Sequence, residues 1–250
     1  MNQKLLGIPL PKYSKKYILD KIKKDTLSKS RFIHITSLNP ESLVIAQEDK
    51  LYKEIITKSQ IKIIDGIGIV IAAQILNIEV GYRLPGVDLM SELITLSSVE
   101  RLRVVLLGGK DNLAESLANC YSRSYPQAMF IGLKGIDNIK KVKKSEEDHV
   151  LSIITDTKPH LLLVSFGSPY QEKWIWKNRI KLKGVVCMGV GGSFDYLYGN
   201  VLRPANFIRK LGFEWLYRLI IQPWRWKRQL RLIRFISLIL KQKISQISLK

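Results

Sequence analysis

The sequence predicts an α/β fold, a doubly wound, mainly parallel, Rossmann-like sheet that carries a basic, helical C-terminal appendage. Three observations predict it. Short β-branched runs alternate with stretches of helical apolar spacing, which implies parallel strands joined by helices. One such run, Val185-Val186-Cys187-Met188, opens into Gly189, Gly191 and Gly192, the way an α/β strand presents backbone N–H groups to a phosphate. After Pro204 the alternation stops, and the chain mixes Arg and Lys with Trp and Leu. With 250 residues, 46% of them apolar, the chain can fill a large core and is not a disordered one.

The strand runs lie at residues 32–35, 61–64, 104–107, 129–131, 161–166 and 185–188. Between them the helix starts are legible. Asn39-Pro40-Glu41 offers a capping side chain, a proline for the first turn and an acid at the positive end. Gly86-Val87-Asp88-Leu89 opens a helix to about Leu96, and Gly108-Gly109-Lys110-Asp111 opens one to about Tyr121. Pro169-Tyr170-Gln171-Glu172 opens one that carries Trp174 and Trp176. The run 140–144 reads as a solvated basic face. Ligands of such sheets bind beyond the carboxyl ends of the strands. That directs attention to residues 37–39, 65–68, 108–110, 167–171 and 189–195.

Two domains follow, an α/β core over 1–202 and an appendage over 203–250. The appendage holds 12 Lys or Arg against Glu214 alone, more than half of the net charge of +20. Such an excess favours phosphates, nucleic acid or anionic lipid. Residues 205–222 read as one helix that Pro223 interrupts. In the next segment Lys227, Arg228, Arg231 and Arg234 share one arc, and Trp226, Leu230, Ile233, Ile236 and Leu240 share the opposite one. Trp224 and Phe235 fall within the basic arc. The pattern suits an anionic membrane surface; a helix packed on the core with a solvated basic rim is the plainer alternative. No apolar run has the length of a membrane span. The start of the chain lacks the apolar core of a signal peptide. The expected location is cytoplasmic, peripheral on the inner face of the cell membrane.

Cys120 and Cys187 have no ligand spacing and read as buried, reduced thiols. His34 and His160 fall on or beside strands and read as structural. No His, Cys and carboxylate cluster has metal spacing, so neither metal nor cofactor is expected. Gly66-Ile67-Gly68 and Gly189-Val190-Gly191 each lack the third glycine of a dinucleotide fingerprint, and there is no P-loop. No Asp-x-Asp pair is present to hold a metal on a diphosphate. Arginines and backbone N–H groups are the expected neutralisers. Asp65 ends the strand at 61–64 beside a glycine turn. It can serve as a general base toward a hydroxyl; taken alone, capping of the following helix is the better explanation.

In chain order these pieces form a series. Ser37-Leu38-Asn39-Pro40 precedes Asp65-Gly66-Ile67-Gly68 and Arg83-Leu84-Pro85-Gly86-Val87-Asp88. Leu107-Gly108-Gly109-Lys110 and Gly167-Ser168-Pro169-Tyr170-Gln171-Glu172 follow. Gly189-Val190-Gly191-Gly192-Ser193-Phe194-Asp195 and Gly212-Phe213-Glu214-Trp215-Leu216-Tyr217-Arg218 close it. The series resembles the WecG/TagA/CpsF family of bacterial glycosyltransferases, from about residue 30 to about 234.

The resemblance implies an inverting, metal-independent enzyme. It would move a sugar from a UDP-sugar donor to a polyprenyl-diphosphate-linked sugar at the membrane, in teichoic acid or surface polysaccharide synthesis. The sugar it implies is N-acetylmannosamine or its uronic acid. It places the general base on Asp65. Substrate contacts fall on Ser37, Asn39, Arg83, Gln171 and Asp195, and the appendage arginines on Arg218, Arg225 and Arg228. Read from the glycine turns themselves, backbone N–H groups at Gly108 and Gly109 or at Gly191 and Gly192 are further candidates to stabilise the leaving diphosphate. Ser37 stands where the family usually has threonine, and Ile136 follows Gly135 where it commonly has an aromatic. If the appendage completes the site, deletion of residues 205–250 abolishes transfer to a lipid acceptor while the core still folds.

Competing expectations are a family member that uses UDP-glucose or UDP-galactose for exopolysaccharide, and a basic nucleic-acid-binding protein. No nucleic-acid module is visible, so nucleic acid is not an expected partner. The sequence leaves a homo-oligomer open.

Overall fold

A computed structural model describes residues 4–223 and 226–248, without the side chains of Lys210, Lys227 and Arg228. The chain begins with a short hairpin, β1 (Lys4–Leu5) and β2 (Ile8–Pro9), and helix α1 (Lys15–Ser28). The first winding unit follows: β3 (Ile33–Leu38), α2 (Pro40–Glu48), α3 (Lys50–Lys58), β4 (Ile61–Ile64), α4 (Ile67–Ile75) and α5 (Gly86–Val99). The second contains β5 (Arg103–Gly108), α6 (Leu113–Ser124), β6 (Met129–Leu133), α7 (Lys144–Thr157), β7 (Leu161–Ser165), α8 (Tyr170–Lys177), β8 (Val186–Gly189) and α9 (Ser193–Tyr198). Helices α10 (Asn206–Lys210), α11 (Glu214–Ile221) and α12 (Trp226–Ser248) form the appendage.

All six predicted strands are present and pair in parallel, in the order β4-β3-β8-β7-β5-β6. Their apolar runs are continuous because both faces are covered. Ile33, Ile35, Leu161, Leu163, Val186 and Met188 pack with α1, α5 and α6 on one face. Leu162, Val164 and Cys187 pack with α7 and α8 on the other. The chain winds outward from β3 to β4 and later returns through β7 to β8, beside β3. A crevice therefore opens at the carboxyl ends of β3 and β8.

Three expectations change. Cys120 is exposed, because it lies off the face of α6 that buries Leu113, Ala114, Leu117 and Ala118. Residues 205–222 do not form one helix. Gly212 breaks it at φ +81°, and a Cβ there would lie 2.6 Å from Ile67, so the turn requires glycine both for its left-handed backbone and for the close approach. The third change concerns α12, where the two described arginines of the basic arc pair with the core at its surface. Arg231 pairs with Glu41 at 2.5 Å and Arg234 with Glu48 at 2.6 Å, both acids on α2. Phe235 and Ile239, only 3% and 2% exposed, join a core cluster with Leu38, Ile69 and Ala72. Gln242 bonds the hairpin, accepting from Leu6 N–H at 2.9 Å and donating to Lys4 O at 2.8 Å. The apolar arc, with Trp226, Leu230, Ile233, Ile244 and Ile247, faces outward.

Candidate active site

The crevice is a cleft of about 680 Å³. Its floor is built by strand ends. Ser37 is the penultimate residue of β3 and Asn39 caps α2, accepting Ser42 N–H at 2.9 Å while Ser42 Oγ accepts the N–H of Asn39. This reciprocal cap fixes the Asn39 side chain, which lines the cleft with Asp65.

Asp65 follows β4. Its backbone is held by Leu38 O at 2.9 Å, and its Oδ1 accepts the N–H of Gly86 at 2.9 Å. The carboxylate therefore caps a helix, but not the one that follows it in sequence. It serves the first residue of α5, which has no side-chain cap of its own. Burial pushes the Asp65 carboxyl above its ordinary value, against the opposing pull of Gly86 N–H, Asn39 and the Arg83 guanidinium. A carboxyl so poised is a better proton acceptor than an exposed aspartate.

Gln171, at the start of α8, is buried. Its Oε1 accepts two backbone N–H groups, Gly167 at 3.0 Å and Gly191 at 3.1 Å, and so ties the loop after β7 to the loop after β8. Its Nε2 donates to Glu172 Oε1 at 2.8 Å. A Cβ at Gly189 would lie 2.5 Å from this amide, so only glycine lets Gln171 reach between the loops. Burial also raises the Glu172 carboxyl, while Gln171 and Ser168 oppose the rise.

The appendage forms the far wall. Arg218 of α11 stacks its guanidinium 4.6 Å above the Tyr196 ring. It reaches Gly192 O at 3.5 Å and lies 3.9 Å from Asp195 Oδ2. Arg83 donates to Arg209 O at 2.9 Å, and Arg203 pairs with Asp88 at 2.6 Å. Glu214 stands beside Arg203 at 3.9 Å, its carboxyl raised by burial. These contacts join the appendage to the segment that presents Asp65.

The structure thus brings Ser37, Asn39, Asp65, Arg83, Gln171, Gly191 and Arg218 to one cleft. Gly108, Gly109 and Asp195 do not line it. Gly109 N–H is taken by Ser165 O at 3.1 Å, and Asp195 lies behind Arg218 on α9. Arg225 and the side chain of Arg228 lie outside the described residues. Across residues 3–248 the chain matches the model of the glycosyl transferase WecG/TagA/CpsF family. The chain belongs to this family.

Two relatives from the WecG/TagA/CpsF family illustrate the likeness. One is the N-acetylglucosaminyldiphosphoundecaprenol N-acetyl-beta-D-mannosaminyltransferase of Bacillus subtilis (strain 168). It is 32% identical over 209 residues, which cover 84% of this chain and 79% of that protein. The protein of the same name from Staphylococcus aureus (strain NCTC 8325 / PS 47) is 32% identical over 196 residues, 78% of this chain and 74% of its own length. This family member is a glycosyltransferase.

Sequence reasoning missed several groups in the cleft. Tyr196 supports Arg218 from below. Glu172 and Glu214 are further carboxyls, and Leu232, Phe235, Ile236 and Leu240 of α12 form a wall. A signal for the last was present: Phe235 interrupts the basic arc, and an aromatic among arginines marks an arc that faces protein. His34 is buried in β3, where burial lowers its pKa to about 3 and keeps it neutral. His160 Nδ1 accepts Arg103 N–H at 3.0 Å. Both are framework residues.

Proposed function

We propose that this glycosyltransferase moves N-acetylmannosamine, or its uronic acid, from a UDP-sugar to an N-acetylglucosaminyl diphosphate carried on a polyprenol, with inversion and without a metal. The observation that carries the reading is the meeting of Asp65 and Arg218 in one cleft. The printed names of the relatives supply the sugar and the lipid acceptor.

In this reading Asp65 removes the proton of the attacking acceptor hydroxyl. The acceptor oxygen bonds to the anomeric carbon as the bond from that carbon to the UDP oxygen breaks. A single displacement of this kind inverts the centre. Negative charge then grows on the leaving diphosphate, and Arg218, with Arg225 and Arg228 of the same appendage, neutralises it. Gly191 N–H is engaged by Gln171, so arginines take the larger share. Ser37, Asn39 and Arg83 position the acceptor side around Asp65. Asp195 is assigned to the nucleoside end, with Arg218 as its link to the cleft; Gly108 and Gly109, which do not line the cleft, are given no part.

The arginine route rests on Arg218, which lines the cleft and faces the glycine turn after β8. No described helix is long and apolar enough to cross a membrane. The outward stripe of α12 supports peripheral contact with the cytoplasmic face instead. The pairing of Arg231 with Glu41 and of Arg234 with Glu48 sets an acid beside two of the cations that a nucleic-acid surface would use. Transfer measured across UDP-N-acetylmannosamine, its uronic acid, UDP-glucose and UDP-galactose, with Asp65→Asn as control, tests the assignment. Faster transfer of glucose or galactose would replace the donor; full activity of the variant would remove Asp65 from its role.

A further inference from the structure

The cleft has a second half with little polar chemistry. Leading away from Asp65, it is walled by Ile67, Ile71 and Ile75 of α4 and by Leu232, Ile236 and Leu240 of α12. Ile71, Ile75, Ile236 and Leu240 are 43–54% exposed. Exposed aliphatic side chains on two facing helices form the kind of apolar patch that a ligand or partner covers. Helix α4 has nine residues; at about 1.5 Å each the trench is about 13 Å long.

Both ends of the trench are informative. The inner end abuts the catalytic carboxyl, because Ile67, the first residue of α4, stands two positions after Asp65. Toward the outer end Lys243 of α12 donates to Ile75 O at 2.7 Å, at the last residue of α4. Around α12 the flank of Leu232, Ile236 and Leu240 merges with the outward stripe of Leu230, Ile233 and Ile244 at helical spacing. One apolar surface therefore runs from the outer face of the appendage to the reacting centre.

We propose that this trench holds the first isoprene units of the acceptor's polyprenyl chain, while the rest of the chain stays in the bilayer. The proposal rests on the glycosyl-transfer reading, which puts the acceptor's sugar at Asp65. The diphosphate ties that sugar covalently to an apolar chain, so the chain must leave the reacting centre along a surface that accepts it. Branched aliphatic walls match a branched hydrocarbon, and the trench starts at Asp65 and opens at the membrane-facing side.

The test uses N-acetylglucosaminyl diphosphate esterified either to farnesol or to methanol, in detergent-free buffer below the aggregation threshold of the lipid. Each fully buried methylene strengthens binding about fourfold, so cover for only three or four of them gives roughly 100-fold, and wild type is expected to bind the farnesyl form at least about 100-fold more tightly than the methyl form. In Ile71→Gln/Leu240→Gln the two affinities are expected to converge, with circular dichroism and thermal midpoint checking the fold. Equal binding of both forms by wild type, or an advantage that survives the double substitution, would overturn the trench. Loss of the advantage only in Ile233→Gln would put the chain on the outer face, with the same consequence. If the transfer reading alone is wrong, no sugar moves, yet farnesyl diphosphate without sugar still binds and still loses its affinity in the double variant.

Discussion

Asp65 Oδ1 accepts the backbone N–H of Gly86 at 2.9 Å, so the acid at the end of one strand fixes the start of a helix that begins 21 positions later. A side-chain amide can accept the same bond. Asp65→Asn is therefore expected to keep the fold and lose chemistry, with kcat about 100- to 10,000-fold lower. Asp65→Ala should lose both, with stability lower than that of the Asn variant by about 1 kcal/mol. Radiolabelled sugar transfer and urea titration of the two variants measure the difference.

The pH dependence follows from burial. The Asp65 carboxyl is raised above 3.8 by burial and pulled back by Gly86 N–H, Asn39 and Arg83. The rising limb of kcat/KM should therefore lie above 3.8, and Arg83→Gln should move it higher by removing a charge that lowers it. The stability effect has the opposite sense to that of a salt-bridged acid. A raised carboxyl holds its proton more firmly when folded, so its contribution is greatest below the unfolded pKa and is lost as pH rises through the folded one. Asp65→Asn is thus expected to match wild type in acid and to equal or exceed its thermal midpoint at neutral pH. A variant much less stable at pH 7 would contradict this.

Arg218 is stacked on Tyr196 and faces the glycine turn after β8. Arg218→Ala should lower kcat about 100-fold, the scale for loss of one donor to a developing charge. Lysine cannot reproduce the planar, stacked fork, so Arg218→Lys should restore little. Steady-state rates at saturating donor separate this loss from weaker donor binding.

Because Phe235 and Ile239 belong to the core, removal of residues 205–250 should destabilise the chain, contrary to the expectation of an independent core. Phe235→Ala alone is expected to cost about 3 kcal/mol or more, read from the midpoint of denaturant unfolding. Point variants of Arg218 test the appendage's chemistry more cleanly than truncation does.

Membrane contact should follow the outward face of α12. Ile233→Glu and Ile247→Glu together should lower cosedimentation with phosphatidylglycerol vesicles by at least about tenfold, since each loses a buried apolar side chain worth roughly 1.5 kcal/mol or more. Arg231→Gln and Arg234→Gln should change vesicle affinity little, because both cations are engaged with Glu41 and Glu48. A large loss of binding in the arginine variants would reverse this assignment.

Local signals carried much of this architecture. The six strands announced themselves as apolar runs, and Asn39 as a cap, because periodicity and capping are decided within a few residues. The link from Asp65 to α5 was not legible: nothing near Asp65 says that its partner is Gly86. The inward face of α12 was half legible. A helical wheel separates two arcs, but which arc meets the protein depends on Glu41 and Glu48, nearly 200 positions away. The break at Gly212 is not legible locally because Ile67, which the turn must clear, is also remote in sequence. Gly109 looked free to meet a phosphate because Ser165 O, which takes its N–H, comes from a different strand.

The bonds from Gln242 to Lys4 and Leu6 span up to 238 positions. A ribosome making this chain from its amino end must therefore deliver residue 242 before the hairpin finds its mate. Contacts of such long range are slow to form. Until they do, Leu38, Ile69 and Ala72 lack the cover that Phe235 and Ile239 give them. Nascent molecules should thus pass through a sticky, inactive stage, and catalytic competence arrives only once the α12 segment has emerged and docked.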